Sequence, residues 1–363
     1  MNPLRLRLPT VGRLFGSDEN RRILEMNPTI IPSREESKEV SLSIYDFDAE
    51  NLEEWKSRDV SDCLRFKGNK HLSWINIDGL RKEDIEKVCG YFGVHELLVE
   101  DILSINQRPK MDEVGEVMFC LLNMLYFNDD NSTVEAEQIS IVLGKTFVVS
   151  FQEDANRDVF DPVRQRIRSP KSQIRLRSAD YLLYCMIDMI VDNYFLVMEK
   201  VGGEIEQAEE DVFKRRSSAL PAINRLRKEL IILKRNIIPV RDMVSSILRS
   251  DSDLINERTI KYFKDIQDHI SQAHDLLENY RDMVMGLQDL YLNSVNLRMN
   301  EVMKVMAIVT CLLAPATVIG GIFGMNFDVI PYSHHEWGFY FAVGTMLAIP
   351  FAMLWIFWKR DWF

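Results

Sequence analysis

Much of what this chain lacks bears on its class. It has five cysteines, Cys63, Cys89, Cys120, Cys185 and Cys311, and none stands in a CxxC or other ligand spacing. That argues against a disulfide framework or a structural zinc site and predicts buried free thiols in a reducing compartment. The N-terminus has no apolar stretch, so no cleaved signal peptide is expected. No nucleophile–base pair or ligand cluster has a recognisable spacing, which makes an enzyme the least supported class. Basic residues are too few for a nucleic-acid partner: 44 Lys and Arg stand against 55 Asp and Glu, a net charge of −11 that suits a protein meeting cations. Gly144-Lys145-Thr146 has the look of a phosphate loop, but position 139 is Ile139 where that loop needs glycine, and the following Phe147-Val148-Val149-Ser150-Phe151 reads as strand. Nucleotide binding is therefore rejected.

Charge is missing altogether from two stretches, Val305 to Phe327 and Gly338 to Trp358. Each is about twenty residues, enough for a helix to cross roughly 30 Å of hydrocarbon. The link between them, Asp328 to Trp337, is short and predicts a turn outside the bilayer. Lys304 precedes the first run and Lys359 and Arg360 follow the second, whereas the link carries Asp328 and Glu336 and no Lys or Arg. The positive-inside rule then puts both chain ends in the cytoplasm, in a multi-pass protein of the cell membrane. Trp337, Trp355, Trp358 and Trp362 cluster near the ends of the second run, where indoles prefer the headgroup layer. His334 and His335 in the link have no third ligand and read as incidental.

Proline is absent between Pro239 and Pro315, and Gly286 is the only glycine there. If Leu254 to Ile322 forms one helix, it is on the order of 100 Å long at about 1.5 Å per residue and must pack against other helices. Upstream, Val40 to Tyr45 and His71 to Ile77 alternate with period two, Lys82 to Tyr91 and His95 to Ser104 have helical spacing, and Val117 to Phe127, Glu137 to Leu143 and Thr146 to Gln152 read as strands. The expected fold is an α+β membrane protein: an N-terminal cytosolic α/β sandwich, a long helical stalk and two C-terminal transmembrane helices. The expected segments are a flexible basic tail (1–38), the α/β domain (39–176), a cytosolic helical region (177–250), a stalk continuing into the first span (251–326), an extracytoplasmic loop (327–337), the second span (338–358) and a cytosolic basic tail (359–363). Pro221 and Pro239 are expected to mark helix starts or breaks in the helical region.

Steps of four and three along the stalk and first span pick out Asp289, Asn293, Asn296, Asn300, Met303, Ala307, Thr310, Ala314, Thr317, Gly321 and Gly324. An ordinary helix seam would carry Leu or Ile there. Small residues also serve close helix packing, as in Gly320-xxx-Gly324. A water-lined pore needs the same stripe, and the amides before the span favour the pore. One subunit with two spans encloses nothing, so a pore requires a ring of copies.

Tyr291-Leu292-Asn293-Ser294-Val295, Asn300-Glu301-Val302-Met303-Lys304-Val305, Pro315 and Gly324-Met325-Asn326-Phe327 resemble the CorA family of magnesium transporters in order and spacing. The resemblance extends through Leu98-Val99-Glu100-Asp101-Ile102-Leu103, Gln107-Arg108-Pro109, Asp161-Pro162-Val163-Arg164, Ala179-Asp180-Tyr181-Leu182-Leu183 and Tyr262-Phe263-Lys264-Asp265. It implies a funnel-shaped homopentamer with the first span innermost and channel-like uptake of Mg2+ driven by membrane potential, with Co2+ as a further cargo. Gly324, Met325 and Asn326 would form the entrance filter. Magnesium holds its waters tightly, and a ring of neutral amide oxygens can accept from those waters without stripping them. Ala314 stands where many relatives carry a bulkier residue, so the apolar constriction is expected at Met303 or Met306. The resemblance also implies that Asp101 meets Asp265 of a neighbouring subunit through a regulatory Mg2+; Glu100, with Asp188 and Asp192 one helical turn apart, is expected to make a second site nearby. Alternatives are cobalt, nickel or zinc transport by the same fold, or a membrane-anchored cytosolic scaffold or sensor.

Overall fold

The computed structural model describes residues 40–360 apart from 69, 105–106, 154–158 and 326–334. The expected tail over 1–38, residues 361–363 of the expected tail over 359–363, Asn326, and all of the expected loop up to His334 lie outside the described residues. The chain divides into two compact units, one made of Met1–Ala208 with Pro221–Val284 and the other of Glu209–Leu220 with Met285–Phe363.

The first unit is built on one seven-stranded sheet. Its strands are β1 (Ser41–Phe47), β2 (Leu52–Ser57), β3 (Leu72–Asp78), β4 (Lys110–Val114), β5 (Val117–Asn128), β6 (Thr133–Leu143) and β7 (Phe147–Gln152). They lie in the order β2-β1-β3-β7-β6-β5-β4. Only β3 and β7 run parallel, with Ser73 beside Phe147. The pair sits mid-sheet and is buried on both faces, as parallel strands usually are. Helices α1 (Lys82–Phe92) and α2 (Glu96–Leu103) cover one face. There Ile85, Val88, Leu98 and Ile102 pack with Leu42, Ile44, Ile75, Ile77, Phe119, Val149 and Phe151. Each such side chain contributes on the order of 1.5–3 kcal/mol of burial.

On the opposite face Trp74 stacks on Tyr45, meets Phe160 edge-on and lies under the guanidinium of Arg164. Arg164 belongs to α3 (Asp161–Arg168). The polar groups of this layer satisfy one another: Trp74 Nε1 donates to Ser150 Oγ, and Ser150 Oγ donates to Asn76 Oδ1. Helices α4 (Ala179–Phe213) and α5 (Ala219–Arg249) complete the sandwich. Tyr194 and Asn193 of α4 donate to the backbone carbonyls of Asn123 and Leu125 on β5, and Glu229 of α5 accepts from Val134 N–H on β6.

Several expectations are corrected. Strands β2 and β4 carry no alternating apolar pattern and escape sequence reading, because each is a sheet edge with few buried side chains. Pro239 lies inside α5 and does not end it, while Pro221 sits in the first turn, where a missing N–H costs little. The long helix, α6 (Glu257–Phe323), starts three residues after Leu254 because Asn256 caps it, its Oδ1 accepting from Arg258 N–H. It has 67 residues and runs through Pro315 unbroken. At Gly144 the amide bonds Phe147 O and the Phe147 ring lies where a Cβ would be, so that amide is already engaged within the β6–β7 turn. Four cysteines are buried as expected, but Cys311 is exposed on the chain.

In the second unit, the C-terminal part of α6 is joined by α7 (Gly338–Lys359). Three helices of the described residues, α4, α6 and α7, are long and apolar enough to cross a membrane. The apolar window of α4 is mostly buried, whereas those of α6 and α7 are almost wholly uncovered.

Candidate pore lining and metal sites

Along α6 every residue of the seam is exposed, Asp289, Asn293, Asn296, Asn300, Met303, Ala307, Thr310, Ala314, Thr317, Gly321 and, just past the helix, Gly324, and so are Met306 and Met325 beside it. The seam is not what packs on α7. A Cβ at Gly320 would meet Met346 Cε at 3.5 Å, but one at Gly321 would meet nothing within 4 Å. Gly320 thus serves helix packing and Gly321 faces open space. The two seam threonines donate backwards, Thr310 Oγ1 to Met306 O at 2.8 Å and Thr317 Oγ1 to Leu313 O at 3.0 Å. With their protons committed, these hydroxyls offer only lone pairs, which suits hydrogen bonds from the waters of a hydrated cation. At the helix end Gly324 N–H bonds Gly320 O, and a Cβ on Gly324 would press to 3.0 Å from that carbonyl. Glycine fits because the exit is tight. His335 Nδ1 accepts from Trp337 N–H at the start of α7, which occupies that ring nitrogen.

The expected regulatory residues fall in the first unit. Asp101 on α2 is mostly buried, with a side-chain exposure of 17%, and its Oδ2 accepts from Lys110 Nζ at 2.6 Å. Burial alone would lower the Lys110 pKa, but its hydrogen bonds to Asp101 and Asp112 outweigh that and raise it. Asp101 therefore already has a cation. Glu100 and Asp265 are exposed, and Asp265 adds to the negative field on Asp188.

Asp188 and Asp192, one turn apart on α4, come together with His269 of α6. One ligand atom from each lies within 4.8 Å of the others. Burial raises the Asp188 pKa, and the neighbouring charge of Asp192 raises it further. Tyr184 Oη donates to Asp188 Oδ2 at 3.4 Å. His269 Nδ1 is 3.8 Å from Asp192 Oδ1 and is buried with no hydrogen-bond partner among the described residues. Two crowded carboxylates and an unpartnered imidazole nitrogen form a donor set that fits a divalent cation. Glu100 is outside this cluster. Sequence reading missed His269, whose one available signal is its place one turn after Asp265 on the same helix face.

The profile of the CorA-like Mg2+ transporter protein family matches residues 69–360. The chain is 38% identical over 336 residues to the cobalt/magnesium transport protein CorA of Thermotoga maritima, an alignment covering 92% of this chain and 95% of that one. Its fold is similar to that of the complete CorA magnesium transporter of Methanocaldococcus jannaschii, with a TM-score of 0.74 at 21% identity, covering 89% of this chain and 98% of that one. It is also similar to the soluble domain of the same protein, with a TM-score of 0.57 at 17% identity over 69% of this chain and 96% of that one. An extensive match in sequence, a matching fold and a polar seam on an uncovered helix agree, and the chain belongs to the CorA-like Mg2+ transporter family.

Proposed function

We propose that this chain is a homopentameric, channel-like pathway that takes magnesium into the cell, with cobalt as a second cargo. Membership of the family makes it a membrane transporter of divalent metal ions and not an enzyme. The observation that carries the pore reading is the exposed seam of α6, whose amides, hydroxyls and glycines need water or copies of themselves across a ring. On this reading α6 and α7 span the bilayer with both chain ends in the cytoplasm, and the buried α4 does not span. Gly324, Met325 and Asn326 form the entrance, where amide oxygens accept from the waters of the ion. Met303 and Met306 form the apolar constriction. Two charges falling through about 100 mV gain roughly 4.6 kcal/mol, so transport needs no nucleotide.

Regulation by internal metal is part of the same proposal. Asp188, Asp192 and His269 hold one cation within a subunit, and Asp101 with Asp265 holds another between subunits. A bound ion offsets the repulsion among these carboxylates and favours the closed ring, and it can do so only by binding that state more tightly. The test is ion uptake by the purified full chain in sealed liposomes. An inside-negative potential should accelerate entry of Mg2+; entry indifferent to potential would refute the driving force.

A further inference from the structure

The turn joining α4 to α5 carries Phe213 followed by Lys214, Arg215 and Arg216. It ends α4 by a left-handed cap: Arg216 N–H bonds Asp211 O and Arg215 N–H bonds Val212 O. Arg215 takes φ 53°, a position usually given to glycine because no Cβ then crowds the backbone. The Arg215 side chain there is about half exposed. Phe213 beside it is 69% exposed.

The tip has a defined height along α6. Arg215 Nη1 lies 3.6 Å from Glu301 Oε2, within the same compact unit. Glu301 is one turn before Val305, where the charge-free run begins. Four residues of helix rise about 6 Å, and the headgroup layer is about 5–7 Å thick on each side of the hydrocarbon. If α6 spans the bilayer as proposed above, the tip lies at headgroup depth.

Each cation has a carboxylate neighbour: Lys214 has Glu210, Arg215 has Glu301, and Arg216 has Asp211 at 3.0 Å. All three remain about half exposed, with side-chain exposures of 53%, 54% and 55%. An ammonium has three donors and a guanidinium five, so one carboxylate leaves N–H groups over. The Lys214–Glu210 and Arg215–Glu301 pairs are exposed on both sides and are therefore weak, whereas Asp211 is only 11% exposed and holds Arg216 with the other face of its guanidinium left to solvent. The acids Glu209, Glu210 and Asp211 sit in the last turn of α4, before the cations in the chain.

We propose that this tip docks on the cytoplasmic leaflet, with Lys214, Arg215 and Arg216 on anionic phospholipid headgroups and Phe213 in the interface below them. The inference rests on α6 and α7 being membrane spans, so its test carries a control for that reading. In the full chain with Cys311→Ala, a polarity-sensitive dye is placed at Ser217→Cys, or separately at Phe351→Cys in α7. Nanodiscs contain phosphatidylcholine with or without about one third phosphatidylglycerol, since each Lys or Arg near an anionic surface gains roughly fivefold in partitioning. Quenching by headgroup nitroxide lipid is compared with quenching by aqueous iodide.

The expected result is a dye at 217 quenched by the nitroxide at least about threefold more with phosphatidylglycerol present. Arg215→Gly, which keeps the left-handed cap and removes the guanidinium, should cut that gain. A dye at 217 reached equally by iodide in both lipids, with 351 shielded, would overturn the proposal. So would shielding from both quenchers, as a packed neighbouring subunit would give. Iodide reaching 351 would instead refute the membrane reading, and the docking proposal with it.

Discussion

Lys110 Nζ lies 2.6 Å from Asp101 Oδ2 and 2.9 Å from Asp112 Oδ2, so one ammonium clamps the carboxylate proposed as a metal ligand. A divalent ion arriving at Asp101 must compete with a cation already present. Removing that cation should therefore tighten metal control. Lys110→Met should lower the Mg2+ concentration that protects the full chain from trypsin by about fivefold, as expected for a partly exposed pair worth ~1 kcal/mol. An unchanged midpoint would mean that Asp101 takes no part in sensing.

His269 supplies the one nitrogen in a cluster otherwise made of carboxylates. Imidazole suits cobalt better than magnesium, which prefers oxygen ligands. His269→Ala should weaken Co2+ protection against trypsin by about tenfold and Mg2+ protection by less than about twofold. Equal losses for both ions would show that the nitrogen is not a ligand.

Asp188 provides the pH dependence. Burial first, then Asp192, raises its folded pKa above 3.8. The folded state then binds the proton more tightly than the unfolded chain does. The stability it contributes is fully present below pH 3.8 and is lost as pH rises through the raised folded value. Without metal, the wild-type chain should therefore lose stability relative to Asp188→Asn over that interval, measured by thermal unfolding in detergent. Added Mg2+, which binds the deprotonated pair, should offset the loss in wild type only. Parallel pH curves for the two proteins would contradict the assignment.

Topology gives an independent check. A cysteine at Ser333 should react with an impermeant thiol reagent in intact cells, and cysteines at Ser41 or Asp361 should not. Labelling at Asp361 in sealed cells would reverse the orientation.

What could be read from the sequence was set by where each signal resides. Period-two alternation marks β1 and β3, and short apolar runs mark β5 to β7, because these strands carry their apolar side chains in the local sequence. Leu52–Ser57 and Lys110–Val114 are polar edge segments whose strand form depends on a partner, and no local pattern marks them. The seam of α6 is legible because helical spacing alone aligns it. The metal cluster is only half legible. Asp188 and Asp192 are one turn apart, but His269 joins them from another helix through tertiary packing. The Lys110 clamp on Asp101 is likewise a contact between β4 and α2 that no motif announces.

The central claim is that a ring of α6 helices, opened by Gly324-Met325-Asn326, conducts hydrated magnesium. Its most direct test is Mg2+ flux into liposomes holding either the wild-type chain or Asn326→Ala, each first shown to run as the same oligomer. The account predicts potential-dependent uptake by the wild type and loss of uptake in the variant, because its ring has no amide oxygens for the waters of the ion. Undiminished flux through an assembled Asn326→Ala ring would contradict it.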